Sequence, residues 1–426
     1  MADGSDDPAT GSPPPTGGQR PSLMAPFSFR AYREVWLGNT ASQLGSQVQG
    51  VAAAWLMTEL TGLHTLVAAV TASTSLAMLL LSVPAGVLAD SFSRRNVMLV
   101  GQWAMLFISA ALAALTYAGM ITAWSLLAFT LLVGAGMAVV LPSWSASVRT
   151  LVEPGTVPQA VSWNSISFNL ARTLGPALGG VILTVAGVAA GFAVNALSYV
   201  AVIIALSRWH PDPAPRHGHG FLRSMGGGFT FCWNSRPVRR LLVRGAAFTS
   251  SAICFQAMLA VVVRGPMHGT GADFGLLLGC FGVGSIGGAF ASSPLRRRFG
   301  SETVVGLGTL CSAAGLFGLA MSPSAAAMMP LALVGGAGWT SCLTSLQVAM
   351  QMRAPQELLG RAMSIYQAFT IGLAAIGAWG WGLLSDLTSL RTALCGSAAA
   401  LLASTLVLRV LSPLPARGEG VVVGRG

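Results

Sequence analysis

The chain has few charged residues, and none of its basic residues is lysine. Charged side chains make up 9% of the 426 residues, whereas a soluble domain carries about a quarter. All 24 basic residues are arginine, against 13 acidic ones, which gives a formal net charge of +11. Because the arginines fall in short stretches between apolar runs, they indicate membrane topology rather than nucleic-acid binding.

Signals for cofactors and catalysis are also missing. The six cysteines are widely spaced and include no C-x-x-C pair, so they are typical of small apolar residues. Residues Gly282 to Gly287 fit the pattern G-x-G-x-x-G but lie inside an apolar run, which favours a helix-packing face over a dinucleotide site. No nucleophile, base and metal ligands come together in the sequence. We predict no cofactor, no metal site and no enzymatic activity.

Long apolar runs are abundant. Hydrophobic residues make up 53% of the chain, and runs of about 20 residues, enough to cross a bilayer, recur about twelve times. The sequence therefore predicts an all-α membrane protein with about twelve transmembrane helices. Arginines concentrate in alternate connections, among them the stretch from Arg208 to Arg244, while the intervening ones hold only Arg264 and Arg391. By the positive-inside rule, both termini are predicted in the cytoplasm of a bacterium, with the protein in its inner membrane.

An internal repeat divides the chain in two. A shift of 202 positions carries Gly86 to Gly288 and the pair Arg94-Arg95 to Arg296-Arg297 without a gap. Two pseudo-symmetric six-helix bundles produce such a pattern. The predicted organisation is a disordered cytoplasmic tail (1–29), an N-terminal bundle (30–208), a cytoplasmic linker (209–237), a C-terminal bundle (238–410) and a cytoplasmic tail (411–426).

Two motifs carry a family resemblance. The stretch from Gly86 to Arg95 resembles the loop that joins helices two and three in the major facilitator superfamily, with Ser91 and Ser93 replacing a basic residue and glycine. Helix five contains a sequence similar to the G-P-x-x-G-G motif of exporters in this superfamily. The conformational residues implied by the two motifs are Gly86, Asp90, Arg94, Arg95, Gly175, Pro176, Gly179 and Gly180. The chain most resembles the transmembrane secretion effector subfamily, which implies the major facilitator fold, alternating access and proton antiport.

Polar residues inside the predicted helices are candidates for substrate binding. Helix one carries amides every four residues, and Arg172 is the only arginine deep within a predicted span, where a charge is costly. The candidates are Asn39, Gln43, Gln47, Asn169, Arg172, Gln256, Tyr366, Gln367 and Thr370. Single polar side chains in such helices also serve simply as helix-to-helix hydrogen bonds. The acidic residues fall near helix ends, so Glu34 and Asp90 are the best candidates for carrying protons.

These observations predict an inner-membrane exporter of a small amphipathic or anionic compound. A siderophore-like metabolite is the first choice of cargo, and the carrier is expected to be a monomer driven by protons. The alternatives are a broad multidrug efflux carrier and a nutrient uptake carrier. A membrane receptor without transport activity or a lipid flippase would belong to a different class.

Overall fold

A computed structural model describes residues 22–209, 232–322, 324–355, 358–411 and 413–414, without the side chains at 82, 83, 86, 87, 89–91, 146, 360 and 361. This part of the chain is helical. The long helices are α1 (Arg30–Leu60), α2 (His64–Ser91), α3 (Arg94–Tyr117), α4 (Ala123–Ser147), α5 (Val157–Ala186), α6 (Val188–Arg208), α7 (Arg236–Ala252), α8 (Cys254–Arg264), α9 (Gly271–Phe299), α10 (Ser301–Met321), α11 (Ala325–Gln351), α12 (Leu359–Leu387) and α13 (Leu390–Leu411).

The helices have the lengths and surfaces of membrane spans. Eleven described segments are long and apolar enough to cross a bilayer, and α7 and α8 together form one of them, broken at Ile253. Helix α1 has 31 residues but is less apolar, because it carries the amides of Asn39, Gln43 and Gln47. Phe107 and Phe290 are 65% and 80% exposed, as expected for side chains that face lipid. The predicted all-α membrane fold is confirmed.

The repeat in the sequence is a repeat in the structure. Helices α4, α5 and α6 begin at residues 123, 157 and 188, and α11, α12 and α13 begin 202 positions later, at 325, 359 and 390. Within the N-terminal half α1 packs on α5 and α6, and α2 packs on α4. In the C-terminal half α9 packs on α11, and α7 packs on α12. The largest contacts between the halves are those of α5 with α9 and of α2 with α12, and α8 also contacts α1 and α2.

Twelve crossings place the start of α1 and the end of α13 at the same end of the molecule. We call this end the terminal face and the other end the opposite face. Helices α1, α5, α7 and α12 run away from the terminal face, whereas α2 and α9 run towards it. This direction fixes the depth of each residue discussed below.

Part of the predicted disordered tail (1–29) is ordered. Residues Ala25–Ser28 form a 3-10 helix, and Phe27 packs edge-on against Tyr32, Trp36 and Trp163, with ring centroids 5.0–5.6 Å apart. The indole of Trp163 donates a hydrogen bond of 2.8 Å to the Leu23 carbonyl. The prediction of disorder is wrong for residues 25–29, because these aromatic rings give the segment something to pack against. Residues 1–21 and 210–231, and 415–426 of the C-terminal tail, lie outside the described chain.

Candidate substrate cavity between the two bundles

A seam of small residues closes α5 against α9 in the half of the molecule near the opposite face. A Cβ atom on Gly275 would lie 2.5 Å from the Pro176 carbonyl oxygen and 2.6 Å from the Gly180 Cα. A Cβ on Gly282 would lie 2.8 Å from the Thr173 Cα. The two backbones therefore touch in a way that only glycine permits.

The glycines of the predicted exporter motif pack against two neighbouring helices, α1 and α9. Gly175 and Gly179, one turn apart, face α1, where a Cβ on Gly175 would meet Gln47 at 2.5 Å. Gly180 and the Pro176 carbonyl face α9 of the other bundle. The motif thus packs α5 against its own bundle on one side and against the partner bundle on the other.

A carboxylate joins α12 to α2 at the opposite face. Asp386, near the end of α12, accepts hydrogen bonds from the backbone amides of His64 (2.8 Å) and Thr65 (2.9 Å) and from the Thr65 hydroxyl. The imidazole Nδ1 of His64 lies 2.8 Å from the Ser385 hydroxyl. Helix α2 has Leu63 at its N-cap, which offers no side-chain acceptor. Asp386 therefore caps α2 from the other bundle.

A second polar contact joins the bundles at the opposite face. Arg264, at the end of α8, forms an ion pair of 2.9 Å with Glu59 near the end of α1. Its guanidinium also lies over the Trp55 ring, 5.6 Å from the centroid, and Trp55 in turn donates a hydrogen bond of 3.0 Å to Glu59. Trp55 stacks on Phe274 of α9, with ring centroids 6.1 Å apart. Charged and aromatic groups thus close this end.

The same face of α5 is open nearer the terminal face. Gly180, Pro176 and Thr173 contact α9, and steps of three or four residues carry this stripe to Asn169, Ser165 and Ser162. These last three residues are exposed, although they continue the face that meets the other bundle. Where the seam ends, this face of α5 is open between the bundles towards the terminal face, and we call this space the gap.

Arg172 lies where this gap begins. It is the sixteenth of the thirty residues of α5, and its carbonyl oxygen would lie 3.1 Å from a Cβ on Gly282 of α9. The side chain is partly buried, and within the described residues no hydrogen bond or ion pair reaches it. An arginine at this depth costs about 2.5–3.5 kcal/mol on insertion scales. Among the described residues, no hydrogen bond or ion pair offsets this cost.

The amides of α1 lie at the depth of Arg172. Helices α1 and α5 are parallel, since Thr40 hydrogen-bonds Ser167 at 2.6 Å and Gln47 lies beside Gly175. This register places Asn39 and Gln43 beside residues 166–171. The Asn39 Nδ2 and Gln43 Oε1 atoms are buried and have no hydrogen-bond partner among the described residues. Two of the three predicted amides therefore have unused polar atoms, whereas Gln47 packs against the glycine motif.

The candidates in the C-terminal bundle fall into two groups. Gln367 is exposed on α12, and Gln256 is partly buried on α8. Tyr366 and Thr370 are 4% and 8% exposed and pack against Gly245 of α7. The Thr370 carbonyl accepts a hydrogen bond of 3.0 Å from Thr249, so this pair lies in the packing between α7 and α12. The structure does not bring Tyr366 and Thr370 together with Arg172.

The loop motif is described in part. Arg95 donates hydrogen bonds to the carbonyls of Leu206 (2.8 Å) and Ser207 (2.9 Å), so it caps the end of α6. Arg94 opens α3 after the N-cap Ser93. The backbone of Gly86 and Asp90 belongs to α2, but the contacts of Gly86 and the side chain of Asp90 lie outside the described structure. Glu34, the other candidate for carrying protons, pairs with Arg30 at 2.8 Å.

Two buried polar groups escaped the sequence analysis. Arg244 was counted in the arginine-rich connection from Arg208, but it lies inside α7, is 4% exposed, and donates two hydrogen bonds of 2.6 and 2.8 Å to Glu302. Arg172 is therefore not the only arginine buried within a span. Gln49 accepts hydrogen bonds from Ser109 (2.8 Å) and Asn195 (2.7 Å), which ties together α1, α3 and α6. The sequence signal for this network was the presence of two amides, Gln49 and Asn195, inside otherwise apolar helices.

The G-x-G-x-x-G stretch packs helices, as predicted. Gly282 faces Thr173 of α5, and Gly284 faces Leu333 of α11, where a Cβ would collide with the Leu333 carbonyl oxygen. Gly287 faces open space. Within the described residues, no three histidine, cysteine, aspartate or glutamate side chains come together as a metal site would require.

Comparisons with solved structures agree with this architecture. A bacterial homologue of the iron transporter ferroportin in an inward-facing state has a TM-score of 0.68 at 18% identity, over 89% of this chain and 97% of that one. The nucleoside transporter NupG has a TM-score of 0.70 at 13% identity, over 89% and 98%. At these identities the likeness establishes the fold, which is the predicted major facilitator fold.

Sequence comparisons identify the family. The enterobactin exporter EntS of Shigella boydii serotype 4 is 28% identical over 403 residues, or 90% of this chain and 92% of that relative. EntS of Citrobacter koseri is 28% identical over 322 residues, or 72% and 73%. The model of the transmembrane secretion effector family matches residues 21–421. Because that match spans nearly the whole described chain and both bundles of the fold, the protein belongs to the transmembrane secretion effector family.

Proposed function

We propose that this protein is an inner-membrane exporter that moves a small amphipathic or anionic compound out of the cytoplasm by alternating access. The observation that carries the proposal is Arg172, a guanidinium at the apex of the gap between the bundles with no described partner. Asn39 and Gln43 add unused amide atoms at the same depth. A planar cation beside amide groups suits a carboxylate or a deprotonated catechol on a largely apolar compound.

The proposed orientation puts the terminal face in the cytoplasm. The connections at this face hold Arg94, Arg95, Arg149 and the run Arg296 to Arg298, whereas those at the opposite face hold Arg264 and Arg391. This is the bias of the positive-inside rule. In this orientation the gap opens to the cytoplasm, from which an exporter takes up its cargo.

The names of the relatives favour a siderophore-like metabolite as the cargo. Relatives named enterobactin exporter cover most of this chain, at 28% identity. A broad range of drugs is the second choice, because a partly apolar gap with few polar groups would also accept other amphipathic compounds. The G-P-x-x-G-G motif resembles that of exporters and favours export over nutrient uptake.

We also propose that export is coupled to protons, because the family resemblance implies proton antiport. The described carboxylates of the spans lie near helix ends, where Glu34, Glu59 and Asp386 each have a partner. We infer that a proton is bound at a helix end, with Glu34 and Asp90 as the groups suggested by the sequence. Transport that stops when a proton ionophore collapses the gradient supports this coupling, and unchanged transport contradicts it.

The test of the binding site compares an anionic and a neutral compound. In inside-out membrane vesicles, Arg172→Ala should transport a catecholate siderophore about ten- to a hundredfold more slowly at low concentration, because a hydrogen bond to a charged group contributes about 1.5–3 kcal/mol. An uncharged drug of similar size should lose much less. Arg172→Lys keeps the charge but loses the planar fork, so it should be intermediate.

The controls separate binding from folding. Arg33→Ala removes an exposed arginine near the terminal face and should transport both compounds as wild type does. Arg172→Ala removes a costly buried charge, so its thermal stability should equal or exceed that of wild type. Equal losses for the anionic and neutral compounds, together with a lower melting temperature, would assign Arg172 to structure and sink the proposed site.

A further inference from the structure

Three arginines crowd the start of α7. Arg236, Arg239 and Arg240 lie within its first five residues and line a cleft of about 340 Å³ together with Val243 and Leu411 of α13. Arg236 and Arg239 are exposed, and Arg240 is partly buried. The cleft is at the terminal face and is distinct from the gap that holds Arg172.

This arrangement is unfavourable for the isolated protein. The N-terminus of a helix carries a partial positive charge, so cations in the first turn are repelled by it. Arg236 also faces Arg239 and Arg240 at spacings of three and four, where like charges destabilise a helix. An anion in the cleft would relieve all three repulsions.

The described protein supplies no such anion. Glu302, which lies near by, is already held by Arg244 through two hydrogen bonds and also accepts one from the Leu414 amide (2.9 Å). Arg239 donates a hydrogen bond of 3.2 Å to the Trp233 carbonyl. Within the described residues, no carboxylate pairs with Arg236, Arg239 or Arg240. The cleft therefore has a net positive charge available to a ligand.

The apolar side of the cleft indicates what kind of anion fits. Val243 and Leu411 are 47% and 73% exposed and lie where two membrane-spanning helices reach the terminal face. Trp233, 54% exposed, lies just before α7, as aromatic residues do at membrane interfaces. A soluble phosphate would use the arginines alone, whereas a phospholipid would use both sides. We propose that this cleft binds the head group of an anionic phospholipid from the leaflet at the terminal face.

The experiment measures the melting temperature of the full-length protein in detergent with added lipid. Phosphatidylglycerol should raise the melting temperature of the wild type clearly more than phosphatidylcholine does. The triple variant Arg236→Gln/Arg239→Gln/Arg240→Gln should lose at least half of that difference. Arg33→Gln/Arg149→Gln/Arg298→Gln removes the same charge from exposed arginines at the same face, and it should respond as wild type does.

Several outcomes would overturn the proposal. An equal loss of this stabilisation in both triple variants would show a general charge effect. Inorganic phosphate or glycerol phosphate that stabilises the protein as strongly as phosphatidylglycerol would show that the cleft binds phosphate rather than a lipid. A response to phosphatidylglycerol that appears only after deletion of residues 415–426 would assign the cleft to the chain's own tail. If the triple variant does not fold, native mass spectrometry of the wild type decides, since loss of phosphatidylglycerol as readily as phosphatidylcholine contradicts the proposal. None of these measurements depends on transport.

Discussion

A single carboxylate supplies the cap that α2 lacks and so ties the two bundles together. Asp386 accepts three hydrogen bonds from the first two residues of α2, and the positive end of that helix adds to the attraction. In a carrier that alternates, this contact must break whenever the opposite face opens. Under the alternating access proposed above, Asp386 would contribute to the balance between the two states.

We predict that Asp386→Asn shifts this balance towards opening at the opposite face. The amide keeps one acceptor but turns a donor towards the α2 amides, and loss of a cap costs about 1 kcal/mol, or about fivefold in population. Hydrogen exchange measured by mass spectrometry should quicken at the start of α2 and along the seam between α5 and α9.

The matched control for this variant is Asp273→Asn. Asp273 caps α9 near the same face, but its partner is Thr270 of the same bundle (2.7 Å to the amide). This variant should speed exchange in the first turn of α9 and leave exchange at the start of α2 and on the α5 side of the seam unchanged. Unchanged exchange along the seam in Asp386→Asn would mean that the contact does not hold the face closed.

Among single residues, the sequence predicts those whose position along an apolar run is unusual for their charge. Arg172 could be predicted because an arginine midway along an apolar run is conspicuous. Asp386 and Glu59 could not, because a carboxylate at a helix end is common and only the packing of two bundles gives it a partner. Arg244 was misplaced because the basic start of α7 continues the charge pattern of the linker. The polarity of Tyr366 and Thr370 does not distinguish a side chain that lines a cavity from one that packs between two helices.

At the element scale, the seam between α5 and α9 sets how closely the bundles approach. We predict that Gly275→Ala impairs transport, because its Cβ would press on backbone atoms at 2.5 and 2.6 Å and hold the two helices apart. The measurement is the transport rate in vesicles, normalised to the amount of protein in the membrane. The bundles should then close less tightly at the opposite face, with faster hydrogen exchange along the seam.

Gly287 offers the matched substitution on the same helix. A Cβ at this position meets nothing within 4 Å, and alanine is the better helix former by about 1 kcal/mol. Gly287→Ala should therefore transport as wild type does and be at least as stable. Similar losses in both variants would show that α9 tolerates no change in its helix propensity, and the close approach at Gly275 would not be the cause.

At the scale of the whole molecule, the repeat made the architecture predictable. A fixed shift of 202 positions shows that there are two bundles and which helix of one bundle is equivalent to which helix of the other. The hydrophobic pattern of a single helix does not contain this information. The repeat does not give the state of the carrier. Under the proposed alternating access, the face at which the gap opens would depend on contacts between the bundles such as those of Asp386 and Arg264, which helix patterns do not reveal.

The orientation of the molecule is the last prediction, and the direction of transport depends on it. Reporter proteins fused after Arg95, Arg216 or Arg298 should show cytoplasmic activity, because these sites follow the arginine-rich connections of the terminal face. Fusions near His64 and His268 should report the outside. Cytoplasmic signals at His64 together with outside signals at Arg95 would reverse the molecule, so that the gap beside Arg172 would open outwards and favour uptake over export. Agreement at all five positions would instead place the Arg172 guanidinium on the side from which an exporter takes up its cargo.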